Sequence, residues 1–261
     1  YRHRGNSRDV IEKFSADQSR CVDGFTATND VEIQYTERGA CVKSSWYPMP
    51  RYNSDTSSPR IKSPRHQIAP SNCFELVAAM RTIAEDLAIY ASTLKYGDLP
   101  ADVIHQTKRF IMDTLGCAFG GYASEPAAIA RDLAGLVSST DPATILCNGR
   151  QTSAELAAFA NDVMIRYLDF NDTYVSKGTG HPSDSIAALL ATGEVAHAGG
   201  RELIVATVLA YEVYCRISDS WNNKASGIDH ATMGAIASVA GVARLLRLTP
   251  AQIIEAINLA T

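Results

Sequence analysis

The 261-residue chain lacks several features that mark common classes of protein. No apolar run reaches the roughly 18 residues that a membrane-spanning helix needs, and no charged and then apolar signal peptide opens the chain. The six cysteines include no C-x-x-C pair, which leaves a zinc knuckle or a redox motif without support. Because G-x-G-x-x-G, P-loop and G-x-S-x-G sequences are also missing, nothing indicates nucleotide binding or serine hydrolysis.

The composition is that of an ordinary globular protein, with 46% hydrophobic residues, 20% charged residues and a net charge of -4. Proteins that bind nucleic acid usually carry a basic face, and this chain is slightly acidic. We therefore expect neither a nucleic-acid partner nor a membrane partner. The expected location is the cytoplasm, with the mitochondrial matrix as the alternative in a eukaryote.

Leucine is absent from the first 70 residues and frequent afterwards. The early segment is also rich in serine and proline, so it has too little apolar surface to offset the entropy lost on folding. We predict that residues 1–72 form a disordered or foreign N-terminal extension. Residues 73–261 are predicted to form the folded domain.

Apolar residues recur every three or four positions from residue 74 onwards, which predicts an all-α domain. One apolar stripe runs from Leu76 through Met80 to Leu94. A second helix is expected between an N-cap at Asp98 and the glycines at 120 and 121, and only residues 143–147 resemble a strand. Further helices are predicted at 125–138, 153–168, 182–197, 201–219 and 230–247, and the capping box that begins at Thr249 opens a last one. Since the sequence stops within that helix, we expect the domain to be incomplete at its C-terminus.

The densest group of polar side chains lies at residues 167–184, between two apolar helices. Asp169 and Asp172 are three residues apart, so we expect them to share one face of a last helical turn. Pro182 at a helix start places His181 at the N-cap, beside backbone N–H groups that attract anions. His230 opens another predicted helix in the same way. The simpler interpretation is a solvated loop in which each histidine only caps its own helix.

A metal site formed by Asp169, Asp172 and His181 is the chemical alternative. These residues lack a compact ligand spacing such as H-E-x-x-H. We therefore predict that no metal binds here.

Several stretches closely resemble the MmgE/PrpD family: Met164-Ile165-Arg166-Tyr167-Leu168-Asp169-Phe170-Asn171-Asp172-Thr173, Gly180-His181-Pro182-Ser183-Asp184, Gly227-Ile228-Asp229-His230, and the opening Leu99-Pro100 with Asp113-Thr114-Leu115-Gly116. This family includes 2-methylcitrate dehydratase, cis-aconitate decarboxylase and iminodisuccinate epimerase, and the likeness is greatest to the first. The resemblance covers about residues 80–261. It implies a helical domain that is usually paired with a smaller lid domain, here missing, in a homodimer.

The resemblance also implies a cofactor-independent enzyme that acts on a small di- or tricarboxylate. The expected reaction is dehydration of 2-methylcitrate to 2-methylaconitate in propionate catabolism. Carried over from the family, Asp169, His181 and His230 are expected to be catalytic, and Thr173 to bind substrate together with Asp172 beside it. The alternatives are a decarboxylase-like or epimerase activity, or an inactive, truncated helical domain that serves only in dimerisation.

Dehydration of such a substrate removes a carbon-bound proton and expels hydroxide as water, so one group must accept a proton and another must donate one. Aspartate and histidine can divide this work, and the sequence leaves open which histidine is the acid. We predict that Asp169, Thr173, His181 and His230 converge on one pocket.

Overall fold

The computed structural model describes residues 81–261 and, upstream, two short strands. These strands, β1 (Glu32–Thr36) and β2 (Gly39–Lys43), pair antiparallel, with residue 32 opposite residue 43. The sequence pattern did not predict this hairpin. The rest of the predicted extension lies outside the described residues, and both its disorder and the boundary at residue 72 stay predictions.

The described domain is helical, which confirms the predicted fold class. Its α-helices are α1 (Ile83–Thr93), α2 (Ala101–Gly121), α3 (Glu125–Ala134), α4 (Ala154–Arg166), α5 (Ser185–Val195), α6 (Gly200–Ser220), α7 (Ala231–Leu245) and α8 (Pro250–Ala260). Local sequence explains where several of them begin. Ser124 accepts a hydrogen bond from the backbone at the start of α3, and Thr249 forms the predicted capping box of α8.

Two predicted helix boundaries differ from the structure, because hydrogen bonds at the helix ends decide where each helix begins. A capping box between Thr82 and Glu85 starts α1 at Ile83, so the stripe from Leu76 is not one helix; Leu76 and Met80 themselves lie outside the described residues. Asp98 was predicted to cap α2. Its carboxylate instead accepts a hydrogen bond from the backbone N–H of Lys95, within a 3-10 turn, and Pro100 is the N-cap.

The predicted single strand at 143–147 was also wrong in part. Only two of its residues form β3 (Ala143–Thr144), which pairs with β4 (Gln151–Thr152). A further hairpin joins β5 (Tyr174–Val175) to β6 (Thr179–Gly180) within the polar segment. The helix predicted at 182–197 is a short 3-10 helix, Pro182–Asp184, followed by α5.

Helix α5 is the central element of the domain. It packs against α4, α6 and α7, and most of its residues are buried. One apolar cluster joins α1, α6, α7 and α8, and a second joins α2, α3, α4 and α5. Burying a large apolar side chain contributes about 1.5–3 kcal/mol, so these clusters hold the helix ends that carry the polar segment.

A close backbone approach fixes the C-terminal end of α4. A Cβ atom added to Gly121 of α2 would lie 2.1 Å from the carbonyl oxygen of Met164, so only glycine permits this crossing. The polar segment follows α4 directly. Within residues 81–261, no helix has both the length and the apolarity to cross a membrane.

Candidate functional site

The candidate site lies where the segment between α4 and α5 meets the N-terminus of α7. The β5–β6 hairpin and the 3-10 helix at Pro182–Asp184 bring His181 to this point, and His230 is the N-cap of α7. The two imidazole rings meet edge to face, with centroids 5.3 Å apart and planes inclined by 69°. Neither side chain makes a capping hydrogen bond, so the interpretation as simple helix caps is wrong.

The surroundings of His181 define which of its ring nitrogens carries the proton. Nδ1 lies 2.7 Å from the backbone carbonyl oxygen of Asp172, which can only accept a hydrogen bond. In the neutral ring, Nδ1 therefore carries the hydrogen and Nε2 has the free lone pair. Burial lowers the pKa of His181 from its usual 6.5, and the nearby Arg166 and His230 lower it further. His181 is thus neutral at pH 7, with a basic nitrogen available.

Thr173 and Asp169 flank this histidine on either side. The Thr173 hydroxyl is 3.4 Å from Nδ1 of His181, and the Asp169 carboxylate is 3.7 Å from Nε2. Asp169 has a positive φ of 50°, a backbone conformation that is uncommon for residues other than glycine, and its side chain is 66% exposed. The backbone thus turns an exposed carboxylate towards a partly buried imidazole.

His230 has carboxylates near both of its ring nitrogens. Nδ1 is 3.3 Å from Asp229, and Nε2 is 3.9 Å from Asp184. Whichever of the two ring nitrogens carries a hydrogen therefore has a carboxylate oxygen nearby. This environment differs from that of His181, which faces a backbone carbonyl on one side.

Asp172 does not share a face with Asp169, which corrects the sequence-based expectation. Its side chain is buried, accepting hydrogen bonds from the Ser183 backbone N–H at 3.1 Å and from the Tyr211 hydroxyl at 2.8 Å. The chain leaves the helix at Arg166, so the three-residue spacing loses its helical meaning. Burial raises the pKa of Asp172, and the hydrogen bonds oppose this rise.

The metal site considered as an alternative would need the Asp172 carboxylate, and both of its oxygens already accept hydrogen bonds from Ser183 and Tyr211. Among the described residues, no three His, Cys, Asp or Glu side chains are grouped in a way that could hold a metal ion.

Sequence reasoning missed Asp184 as a member of the site, although it stands three residues after His181. One carboxylate oxygen accepts from the side-chain amide of Asn171 at 3.0 Å and lies 3.5 Å from Nε of Arg166. Burial raises the pKa of Asp184 to about 7, with the nearby Asp162 raising it and Arg166 opposing the rise. Its position in the first turn after a histidine N-cap was the only local signal.

Sequence reasoning also missed Tyr211 and Tyr214 of α6, because they occupy ordinary apolar positions of a buried helix. Tyr214 is fully buried behind Gly180. A Cβ atom on Gly180 would lie 1.9 Å from the Tyr214 hydroxyl and 2.7 Å from Cβ of His230. The glycine before His181 therefore lets β6 approach α6 and α7 closely.

Comparison with known proteins agrees with this architecture. Residues 85–261 match the family model described as the MmgE/PrpD N-terminal domain. The chain is 34% identical over 181 residues to 2-methylcitrate dehydratase of Escherichia coli K12, covering 62% of this chain and 36% of that protein. It is 35% identical over 167 residues to the Cupriavidus necator 2-methylcitrate dehydratase, covering 58% and 33%.

A eukaryotic relative is similar to a comparable extent. The mitochondrial 2-methylcitrate dehydratase of Yarrowia lipolytica is 32% identical over 197 residues, which cover 67% of this chain and 36% of that protein. The chain thus spans about a third of the length of the curated relatives it matches.

Proposed function

The chain belongs to the MmgE/PrpD family, and we propose that it contributes the acid–base site of a lyase that dehydrates 2-methylcitrate to 2-methylaconitate. The supporting observation is that His181 and His230 lie 5.3 Å apart in different hydrogen-bonding environments. Relatives named 2-methylcitrate dehydratase favour this substrate. The proposal includes propionate catabolism as the role, a homodimeric enzyme that needs no cofactor, and a cytoplasmic or mitochondrial-matrix location.

His181 is the proton acceptor in this proposal. Its Nε2 has a free lone pair at neutral pH, and it removes the proton from the carbon next to a substrate carboxylate. The ring then becomes positively charged. Asp169, 3.7 Å from Nε2, stabilises that charge as it develops, which explains why an exposed carboxylate is held beside a neutral ring.

His230 is the proton donor. It gives a proton to the departing hydroxyl, which leaves as water while the C–H electron pair forms the new carbon–carbon double bond. Asp184 faces Nε2 of His230 and, with a pKa of about 7, exchanges a proton readily at neutral pH. The N-terminus of α7, at His230, also favours the negative charge of a substrate carboxylate.

Thr173 is proposed to bind substrate from the other side of His181, with its hydroxyl as donor or acceptor. Asp172 was expected to bind substrate as well. We instead propose that it positions His181, because its carboxylate oxygens accept from Ser183 and Tyr211 while its carbonyl faces the imidazole.

Turnover of 2-methylcitrate tests the proposal. The purified protein should generate ultraviolet absorbance from a conjugated double bond, with loss of water and without release of carbon dioxide. Carbon dioxide from cis-aconitate would instead support a decarboxylase. Solvent deuterium entering a dicarboxylate without loss of its substituents would support an epimerase, and no turnover of any of these would support a non-catalytic dimerisation domain.

A further inference from the structure

The guanidinium of Arg166, in the last turn of α4, contacts three groups of the polar segment. Nη2 lies 3.0 Å from the Asp169 carboxylate, and Nη1 donates to the side-chain oxygen of Asn171. Nε lies 3.5 Å from the Asp184 carboxylate. The Arg166 side chain is 26% exposed, and its partners Asp184 and Asp169 are 19% and 66% exposed, so the contact with Asp184 is the better shielded from water.

The two carboxylates held by Arg166 are those that face the two histidines. Asp169 lies 3.7 Å from Nε2 of His181, and Asp184 lies 3.9 Å from Nε2 of His230. Arg166 contacts one oxygen of Asp184 and leaves the other directed at His230. One guanidinium therefore connects two aspartate–histidine pairs that come from distant parts of the sequence.

Building on the proposed function, we propose that Arg166 is a positioning residue that holds Asp169 against His181 and Asp184 against His230. A guanidinium suits this task because its planar fork presents N–H groups in several fixed directions at once. A lysine ammonium supplies the charge without the fork, so it cannot fix both carboxylates in the same way. Arg166 itself does not need to touch the substrate.

The charged groups around Arg166 determine which pKa values change when this residue is replaced. Arg166 is faced by Asp162 one turn earlier on α4, by Asp169 and by Asp184, and it lies near His181. It lowers the pKa values of Asp162, Asp184 and His181. Besides Arg166, His181 is faced by Asp169, which raises its pKa, by His230, which lowers it, and by the buried Asp172, whose own pKa His181 lowers.

The competing explanation is purely structural. A basic residue in the last turn of a helix is stabilised by the helix dipole, and Arg166 occupies that place in α4. In that case its replacement would lower the free energy of unfolding and leave the chemical step unchanged.

The test compares Arg166→Gln and Arg166→Lys with Arg247→Gln, which removes the same charge from an exposed pair with Glu202. The ring signals of His181 are followed by NMR between pH 4.5 and 9 in the complete chain. Arg166→Gln should move the midpoint of His181 to higher pH, because a neighbouring positive charge is lost. Arg166→Lys should leave the midpoint near that of the unaltered protein, and Arg247→Gln should not change it.

The same variants are assayed for turnover of 2-methylcitrate. Both Arg166 variants should lower kcat by about 10²-fold, as expected when catalytic groups are misplaced by roughly 1 Å, with little change in KM. Arg247→Gln should retain the original kcat. An unchanged His181 midpoint in Arg166→Gln, or full kcat in a folded Arg166→Lys, would overturn the proposal.

The two readouts separate this inference from the proposed function. If the unaltered protein does not turn over 2-methylcitrate, the proposed function fails, and the NMR midpoints still decide whether Arg166 is coupled to His181. If Arg166→Gln does not fold, the kcat of Arg166→Lys decides, because this variant retains the charge and lacks the fork, and full kcat in it would overturn the proposal.

Discussion

His181 and His230 meet edge to face, with ring centroids 5.3 Å apart, although one follows a β-hairpin and the other begins a long helix. Their hydrogen-bonding partners differ. His181 faces the Asp172 carbonyl, whereas carboxylates lie near both nitrogens of His230. The proposed dehydration needs one proton acceptor and one proton donor, and two histidines in contrasting environments can divide these roles.

Replacing His181 should separate catalysis from stability. We expect His181→Ala to lower turnover by about 10²-fold or more, because a general base is lost. The free energy of unfolding should fall by only about 1 kcal/mol, since the ring makes one hydrogen bond to a backbone carbonyl. His105→Ala, an exposed position of α2, is the matched control for both assays. Equal turnover in the two variants would contradict the assignment of His181.

The sequence was sufficient to predict the helical domain and four residues that the structure brings together. Helix periodicity and caps such as Thr249 act over a few residues, so they can be recognised locally. The motif resemblance identified Asp169, Thr173, His181 and His230, and their contact depends on the packing of α4, α5 and α7. Their catalytic roles stay a prediction.

The residues that the sequence did not reveal are those whose partners lie far along the chain. Tyr211 donates to Asp172 across 39 positions, and nothing near Tyr211 on α6 indicates a polar partner. The prediction that Asp172 shares a helical face with Asp169 failed because the helix ends at Arg166, before either aspartate. Helix ends depend on tertiary contacts such as the crossing at Gly121, which a local pattern does not contain.

The hydrogen bond from Tyr211 to Asp172 should contribute more to stability than a similar bond at the surface. Tyr211→Phe keeps the stacking on Phe110 and leaves a buried carboxylate one donor short, so we expect a loss of about 1–3 kcal/mol. The control is Tyr174→Phe, which removes a bond of equal length to the exposed Asp219 and should cost about 1 kcal/mol or less. Urea unfolding of both variants measures the difference, and equal losses would contradict the buried role of Asp172.

Gly180 is expected to be intolerant of a side chain. Gly180→Ala places a Cβ atom 1.9 Å from the Tyr214 hydroxyl, so we expect a loss of about 1–3 kcal/mol or more from overpacking. The matched change Gly116→Ala has no neighbouring atom within 4 Å and should stabilise α2 by about 0.5–1 kcal/mol. Thermal unfolding compares them. A Gly180→Ala protein as stable as the original would show that β6 does not approach α6 this closely.

Asp184 should make stability depend on pH. Its pKa is raised from 3.8 to about 7 in the folded protein, so the folded state binds this proton more tightly than the unfolded state. The resulting contribution to stability is complete below about pH 4 and is lost as the pH rises through 7. Asp184→Asn resembles the protonated form. Relative to the original protein, this variant should therefore gain stability between pH 4 and pH 8, by on the order of 4 kcal/mol, because three pKa units correspond to about that much.

Urea unfolding at several pH values measures this difference, with Asp141→Asn at an exposed turn as the control. The Asp184→Asn protein should combine its higher stability at pH 8 with lower turnover, as expected for a residue retained for function. Parallel stability curves for Asp184→Asn and the original protein would contradict a raised pKa at this carboxyl.

The central claim is that His181 and His230 belong to one site for a small tricarboxylate, and ligand titration followed by histidine NMR tests it most directly. On addition of 2-methylcitrate, the ring signals of both histidines should shift together with one common Kd. The rings of His105 and His197, which lie elsewhere on the domain, should not respond. Shifts of only one of the two site histidines, different Kd values for the two, or no shift of either would contradict the account.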